Sequence, residues 1–236
     1  CIGEYAFSGC TGLTGVYITN LTKWCEISFR NNFSNPLIYA HNLYLNGNPV
    51  TSLVIPDGVT SIGKFAFHYC TGLTSVTIGN GVTSMGEYAF YKCTGLASVT
   101  IGNGVTSIGG YAFSGCTGLT SATIGSRVTS IGERAFYDCK GLISITIPDN
   151  VTSIGEYAFY ACEGLMSVTI GSGVMSIGHG TFGNCAGLTS ITIPDSVVSI
   201  GNAFKGCAGL TSITLPFVGS NADGTGQTHF GYIFGS

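Results

Sequence analysis

The chain has 236 residues, 44% of them hydrophobic and only 8% charged, with 37 glycines and a formal net charge of -3. A typical globular domain is roughly 25% charged and about 7% glycine. The apolar content and low charge exclude intrinsic disorder, the glycines lack the strict every-third-residue period of collagen, and no apolar run approaches the roughly 18 residues of a membrane helix. Eight scattered Lys and Arg leave no basic face, so neither nucleic acid nor anionic lipid is an expected partner.

Internal repetition dictates the elements. Cys70, Cys93, Cys116, Cys139, Cys162 and Cys185 follow one another at 23 residues, and Cys207 comes after 22 because one residue is missing near Asn202. In chain order, residues 1 to 18 carry a first copy of the unit. Cys1 stands in the column of Ser61, Ser84 and Ser107, so the chain opens in mid-coil and reads as a fragment of a longer polypeptide, for which a missing leader says nothing about secretion.

Residues 19 to 49 form an irregular, expanded coil. Ile18 and Ile55 are 37 residues apart, one period plus 14. Asn20 or Thr22 is placed to cap a short helix carrying Trp24, and Asn46-Gly47 between apolar residues signals a hairpin. The segment holds the only tryptophan and Arg30.

Residues 50 to 216 repeat regularly. Val76, Thr77 and Ile78 alternate as a strand with one buried face. A Gly-Asn or Pro-Asp pair then turns the chain, and Val82-Thr-Ser-Met-Gly86 supplies a second short extended stretch. The Ala-Phe-x-x-Cys segment is too short for an independent helix. One helical or 3₁₀ turn is expected there, driving Phe67, Phe90, Phe113, Phe136, Phe159, Phe182 and Phe204 into the core. A lone coil buries too little to fold, so the coils must stack and share strand hydrogen bonds. Residues 217 to 236 lose the period and read as a glycine-rich irregular cap or the start of a further module. The fold class is a repeat solenoid of 23-residue coils, mainly β with two short strands per coil, and the period lies in the leucine-rich range.

The units exemplified by Val-Thr-Ser-Ile-Gly-Glu-Tyr-Ala-Phe-Tyr-Ala-Cys-Glu-Gly-Leu-Met-Ser-Val-Thr-Ile, residues 151 to 170, resemble the BspA-like (Treponema pallidum-type) leucine-rich repeats over residues 1 to 18 and 50 to 216. The insert wording Ala-His-Asn-Leu-Tyr-Leu-Asn-Gly is similar to a divergent coil of gut-bacterial members. The resemblance implies a curved, right-handed solenoid in an extracellular or cell-surface protein used for adhesion and protein binding.

Candidate chemistry is sparse. Neighbouring coils about 4.8 Å apart bring the cysteine column within bridgeable range, yet pairing would break the equivalence of the coils. Buried free thiols acting as small hydrophobes are the preferred reading, and C-x₂-C spacing for zinc is missing. Gly178-His-Gly-Thr-Phe-Gly183 matches a dinucleotide fingerprint without its βαβ context. No Ser/His/acid or paired-carboxylate arrangement stands out, so no catalytic residue, cofactor or metal is assigned. Asn20, Asn32 and Asn150 open N-x-Ser/Thr triplets, which matter only in a source that glycosylates them.

The outward ladder of Ser75, Thr77, Ser98, Thr100, Ser121, Thr123, Ser144 and Thr146, continuing to Thr214, paves one sheet face with hydroxyls. It reads as solvated strand surface, as a hydrogen-bonding platform for protein or glycan, or as an ice-binding array. Tyr5, Phe65, Tyr88, Tyr111, Arg134 and Tyr157 form a further column that shields the core ends or supplies binding anchors. The expected ligand surface is the hydroxyl ladder together with Trp24 and Arg30 of the insert. The expected function is non-enzymatic binding by a monomer to host extracellular protein, mucin or glycan. A stalk or spacer in a larger surface protein is the alternative.

Overall fold

A computed structural model describes residues 1 to 216; the cap or further module expected at 217 to 236 lies outside the described residues. Each regular coil opens with a strand such as Ser75–Ile78, in which Val76 and Ile78 are buried while Thr77 faces solvent. Six such strands, from Ser52–Ile55 to Ser167–Ile170, form one parallel sheet. Two-residue strands from Ser61–Ile62 to Ser199–Ile200 form a second, seven-stranded sheet. Ser75 lies opposite Ser98 and Ile78 opposite Ile101, so the 23-residue period becomes a spatial register in which like residues stack in columns.

The third segment, expected to hold one helical or 3₁₀ turn, closes the coil through single turns of i→i+3 bonds and not through an α-helix. It is a run of hydrogen-bonded turns in which alternate N–H groups serve different coils. Ala66, His68 and Cys70 donate to Gly63, Phe65 and Phe67 of their own coil, whereas Phe65, Phe67 and Tyr69 donate to the Glu87, Ala89 and Tyr91 carbonyls of the next. A helix would use its N–H groups internally and surrender those crossing bonds. Left-handed backbone at the first and fifth positions, as at Tyr88 (φ 59) and Lys92 (φ 55), breaks the helical path.

The core is a set of continuous columns. Rings from Phe67 through Phe204 stack in near-parallel pairs with centroids 5.1 to 5.7 Å apart, each pair worth about 0.5–1.5 kcal/mol beyond its buried area. The thiols run beside them: Cys93, Cys116, Cys139, Cys162 and Cys185 each donate to the carbonyl of the Phe 26 residues earlier, at 3.1 to 3.2 Å. All ten cysteines are free. Burial pushes the Cys70 and Cys162 thiols up to about 12, which keeps them protonated and unreactive at neutral pH.

The irregular segment belongs to the stack. Strand Val16–Ile18 pairs in parallel with Leu43–Leu45, which makes it a longer coil followed by a hairpin. The expected helix is Leu21–Cys25, with the Asn20 side chain accepting from the Lys23 N–H at 2.9 Å. The expected hairpin turns at Asn46 (φ 49) and Gly47 (φ 82) and returns through Asn48–Pro49. A 3₁₀ turn at Asn32–Ser34 and a short helix at Leu37–Ala40 complete the coil. Its side chains replace missing backbone donors: Trp24 Nε1 donates to the Ala66 carbonyl at 3.0 Å, and Asn35 Nδ2 to Phe65 and Ala66 at 2.8 and 3.1 Å. Among the described residues no helix is long and apolar enough to cross a membrane.

His68 is fully buried at this junction, with Nδ1 3.1 Å from the Phe65 carbonyl and Nε2 2.9 Å from that of Asn32. Burial lowers its pKa to about 4 from 6.5. The unfolded chain therefore binds the proton first, and stability present at pH 7 is lost as pH falls from about 6.5 toward 4, by roughly 3 kcal/mol in all. Denaturant midpoints should drop between pH 7 and pH 4.5, and His68→Ser should remove most of that difference. An unchanged pH dependence in the variant would contradict the assignment.

Candidate binding surface

The structure brings the predicted hydroxyls together on one sheet face. Ser75, Ser98, Ser121 and Ser144 stand in one row, and Thr77, Thr100 and Thr123 in another, with Thr146 continuing it opposite Thr169. Ser75 is half-buried and the others are exposed. Ser75 donates to the Ser52 hydroxyl at 2.8 Å, and the threonines just before these strands are tied down as well, Thr74 and Thr120 donating to the carbonyls of Thr51 and Ala97 at 3.0 Å each.

The face is divided, and the turn following each strand sets where. Coils turning through Gly79-Asn80-Gly81, Gly102-Asn103-Gly104 and Gly171-Ser172-Gly173 pair with the preceding strand over four residues. The Gly125-Ser126-Arg127 coil pairs over three residues. The Pro148-Asp149-Asn150 coil pairs only at Ser121 opposite Ser144, and the Pro194-Asp195-Ser196 coil does not join the sheet ahead of it.

Two causes act together. A Cβ on Gly81, Gly104 or Gly173 would collide with the carbonyl oxygen of Asp57, Asn80 or Asp149 in the coil before, so a side chain there forces the coils apart. Proline also lacks the N–H with which Gly79 donates to Ile55 at 2.8 Å. The result is one shallow trough lined by Ser121, Thr123, Ser144, Thr146 and Pro148, and another lined by Ser167, Thr169, Ser190, Thr192 and Pro194. A third lies where the hairpin meets the Pro56 coil, between Asn46, Asn48, Ser52 and Val54. The signal for this division lies in the Pro-Asp turns, which are not equivalent to Gly-Asn: the Gly-Asn coils pair fully and the Pro-Asp coils part.

The insert residues do not join this face. Trp24 is 7% exposed, a correction to its expected place on the ligand surface: its indole N–H is needed by the Ala66 carbonyl, which draws the ring inward. Arg30 is exposed, but the neighbouring Phe29 N–H donates to the Lys64 carbonyl, which sets Arg30 beside the turn segments.

The aromatic column is continuous at those segments. Phe65, Tyr88 and Tyr111 stack at 4.8 and 4.6 Å, and the Arg134 guanidinium lies between Tyr111 and Tyr157 at 5.4 and 4.8 Å from their centroids. These residues sit at left-handed φ, where a side chain costs about 1–2 kcal/mol and stacking returns a similar amount. Gly178 to Gly183 is the turn segment of its coil, with Thr181 buried and hydrogen-bonded to the Gly155 and Gly178 carbonyls, and among the described residues no helix follows it. Among the described residues no group of three or more His, Cys, Asp or Glu is placed to hold a metal ion.

These stacked parallel coils define a leucine-rich repeat solenoid. The chain belongs to the BspA type leucine rich repeat family, whose profile matches residues 1–41, 37–163 and 130–230 in six copies. Among solved structures it is similar to the T. pallidum leucine rich repeat protein, at 31% identity and a TM-score of 0.58, over 60% of this chain and 69% of that one. A leucine-rich repeat protein from Eubacterium ventriosum shares the fold at 20% identity and a TM-score of 0.54, over 91% of this chain and 69% of that one. A leucine rich cell surface protein from Faecalibacterium prausnitzii aligns at 24% identity and a TM-score of 0.42, over 79% and 83% of the two chains. No curated protein matches.

Converting the Pro148-Asp149-Asn150 turn to Gly-Asp-Gly should close the central trough. Amide exchange at Thr146 and Ile124, whose N–H groups face each other's coils across the trough as Ile193 faces Thr214, should slow by about five-fold or more, the equivalent of one added hydrogen bond. Unchanged exchange would show that the turn does not govern the spacing.

Proposed function

We propose that this chain is a non-enzymatic binding module, displayed outside the cell or on its surface, that recognises host extracellular protein, mucin or glycan. The observation that carries this reading is the exposed Ser/Thr face with its troughs. A rigid stack holds some eight coils' worth of outward hydroxyls in register and then parts them at three sequence-defined places. Flat hydroxyl rows offer donors and acceptors at a regular spacing, and each trough adds concavity in which a protruding side chain or sugar loses water. Repeat solenoids use such extended surfaces for binding. Selectivity in this reading comes from where the Pro-Asp coils fall, since the paired coils between them are nearly identical.

Binding of the purified chain to an array of extracellular-matrix proteins, mucins and glycans tests the proposal. Saturable binding to a few targets is expected. Thr146→Arg, which fills the central trough, should weaken binding about ten-fold, a loss of roughly 1.4 kcal/mol, while Thr77→Arg on the evenly paired part should change it by less. Silence across the array would contradict the reading and favour a stalk or spacer.

A further inference from the structure

A further concavity lies on the other side of the coils, where the irregular coil meets the first regular ones. This open cleft of about 430 Å3, similar in size to the troughs, is lined by Asn32, Lys64, Phe65, Tyr69, Tyr88 and Tyr91, and it differs from them in its aromatic lining. Its walls are aromatic and meet at a corner. Phe65 and Tyr88 stack with 15° between their planes, Tyr91 stands at 74° to Tyr88, and Tyr69 stands at 69° to Tyr91. The rings of the irregular coil are engaged elsewhere, Phe33 stacked on Tyr5 with centroids 5.9 Å apart and Phe29 packed against Trp24, which leaves the Phe65 end of the column open. His68, in the column that carries Tyr91, is buried against the Asn32 carbonyl and does not fill it.

The charge around the cleft is one-sided. Lys64 lies 5.4 and 5.9 Å from the Phe65 and Tyr88 centroids and is neutralised by Glu87 at 2.5 Å. Lys92 lies 5.3 and 5.5 Å from the Tyr69 and Tyr91 centroids and has no ion-pair partner among the described residues. Hydrogen bonding to Tyr69 and the electrostatic influence of Tyr91 raise its pKa, which keeps the ammonium charged.

We propose that this cleft binds a carboxylated pyranose, with the ring against the aromatic corner and the carboxylate on Lys92. One face of a pyranose is a patch of C–H bonds that fits an aromatic wall, while its rim of hydroxyls matches the tyrosine hydroxyls and the Asn32 amide. An exposed lysine alone holds a carboxylate weakly, and the aromatic corner supplies the orientation that a bare charge lacks. The inference rests on the surface-binding reading above and names a ligand class for a face distinct from the hydroxyl ladder.

The fold itself provides the control variant. In the next coil the places of Tyr91 and Lys92 are held by Ser114 and Gly115, the latter at φ 74 where Lys92 has φ 55. Tyr91→Ser with Lys92→Gly therefore installs a pair that this backbone already accepts, and Lys92→Gln removes charge alone. The whole chain is titrated with the methyl glycosides of N-acetylneuraminic acid, of glucuronic acid and of glucose, followed by NMR.

At least one acidic glycoside should bind saturably, at a Kd on the order of 1 mM, and about five-fold or more tighter than the neutral glucoside, the upper end for an exposed ion pair. Which acid binds identifies the source of the carboxylate. Lys92→Gln should erase the preference for acid, and the double variant should abolish binding of all three. Equal binding of acidic and neutral glycosides, an unaffected Lys92→Gln, or no saturable binding of either acid would overturn the proposal. If the acids fail while the chain still captures mucin or matrix protein on the array, only this cleft is refuted and the surface-binding reading stands.

Discussion

Hydrogen bonding between successive coils at a fixed register of 23 residues is the constraint on which the rest of the structure depends. Both strands and the turn segment send N–H groups across to neighbouring coils, so every column repeats at the coil spacing. The stacked Phe rings and the thiols beneath them follow from that register. A thiol is small, apolar enough for a buried position and able to donate to the Phe carbonyl of the coil before, which suits it to a slot where every coil must be the same. The left-handed backbone at Phe65, Tyr88, Tyr111 and Tyr157 has the same origin: it lets alternate N–H groups point along the stack.

Variation within this constraint is what gives the molecule a surface with places on it. The Gly-x-Gly turns let backbone touch backbone, and the strands before them pair fully. The Pro-Asp turns remove a donor and add side chains at the point of closest approach, and the strands part. The irregular coil does the same on the opposite side, by substituting Trp24 and Asn35 side chains for backbone donors and leaving an aromatic corner open beyond them. Local turn chemistry is thereby converted into surface relief, with the buried columns almost unchanged from coil to coil.

Much of this was legible in the residues. The cysteine spacing gave the period, the Val-Thr-Ile alternation gave the strands and their buried face, Asn20 marked a helix start and Asn46-Gly47 a hairpin. The short turn of the Ala-Phe segment is legible, but its bonds to the next coil are not, because its left-handed positions hold Tyr, Phe and Arg, residues that avoid that conformation in isolation and occupy it here because stacking and crossing bonds offset the strain. The burial of Trp24 is not legible, because composition does not say which side of an irregular coil faces the stack. The Lys92 cleft needed Asn32 and Tyr91, residues of different coils, to be brought together by the fold. The troughs were written in the sequence, in the difference between Gly-Asn and Pro-Asp, but their meaning depends on how close two coils come.

Native-state amide exchange of the turn segments measures the central claim most directly. The amides of Phe67, Phe90, Phe113, Phe136 and Phe159, which cross to the next coil, should exchange as slowly as the strand amides of their own coils. Rapid exchange of these five, at the rate of exposed turns, would mean that the coils are joined through their strands alone and would contradict the account.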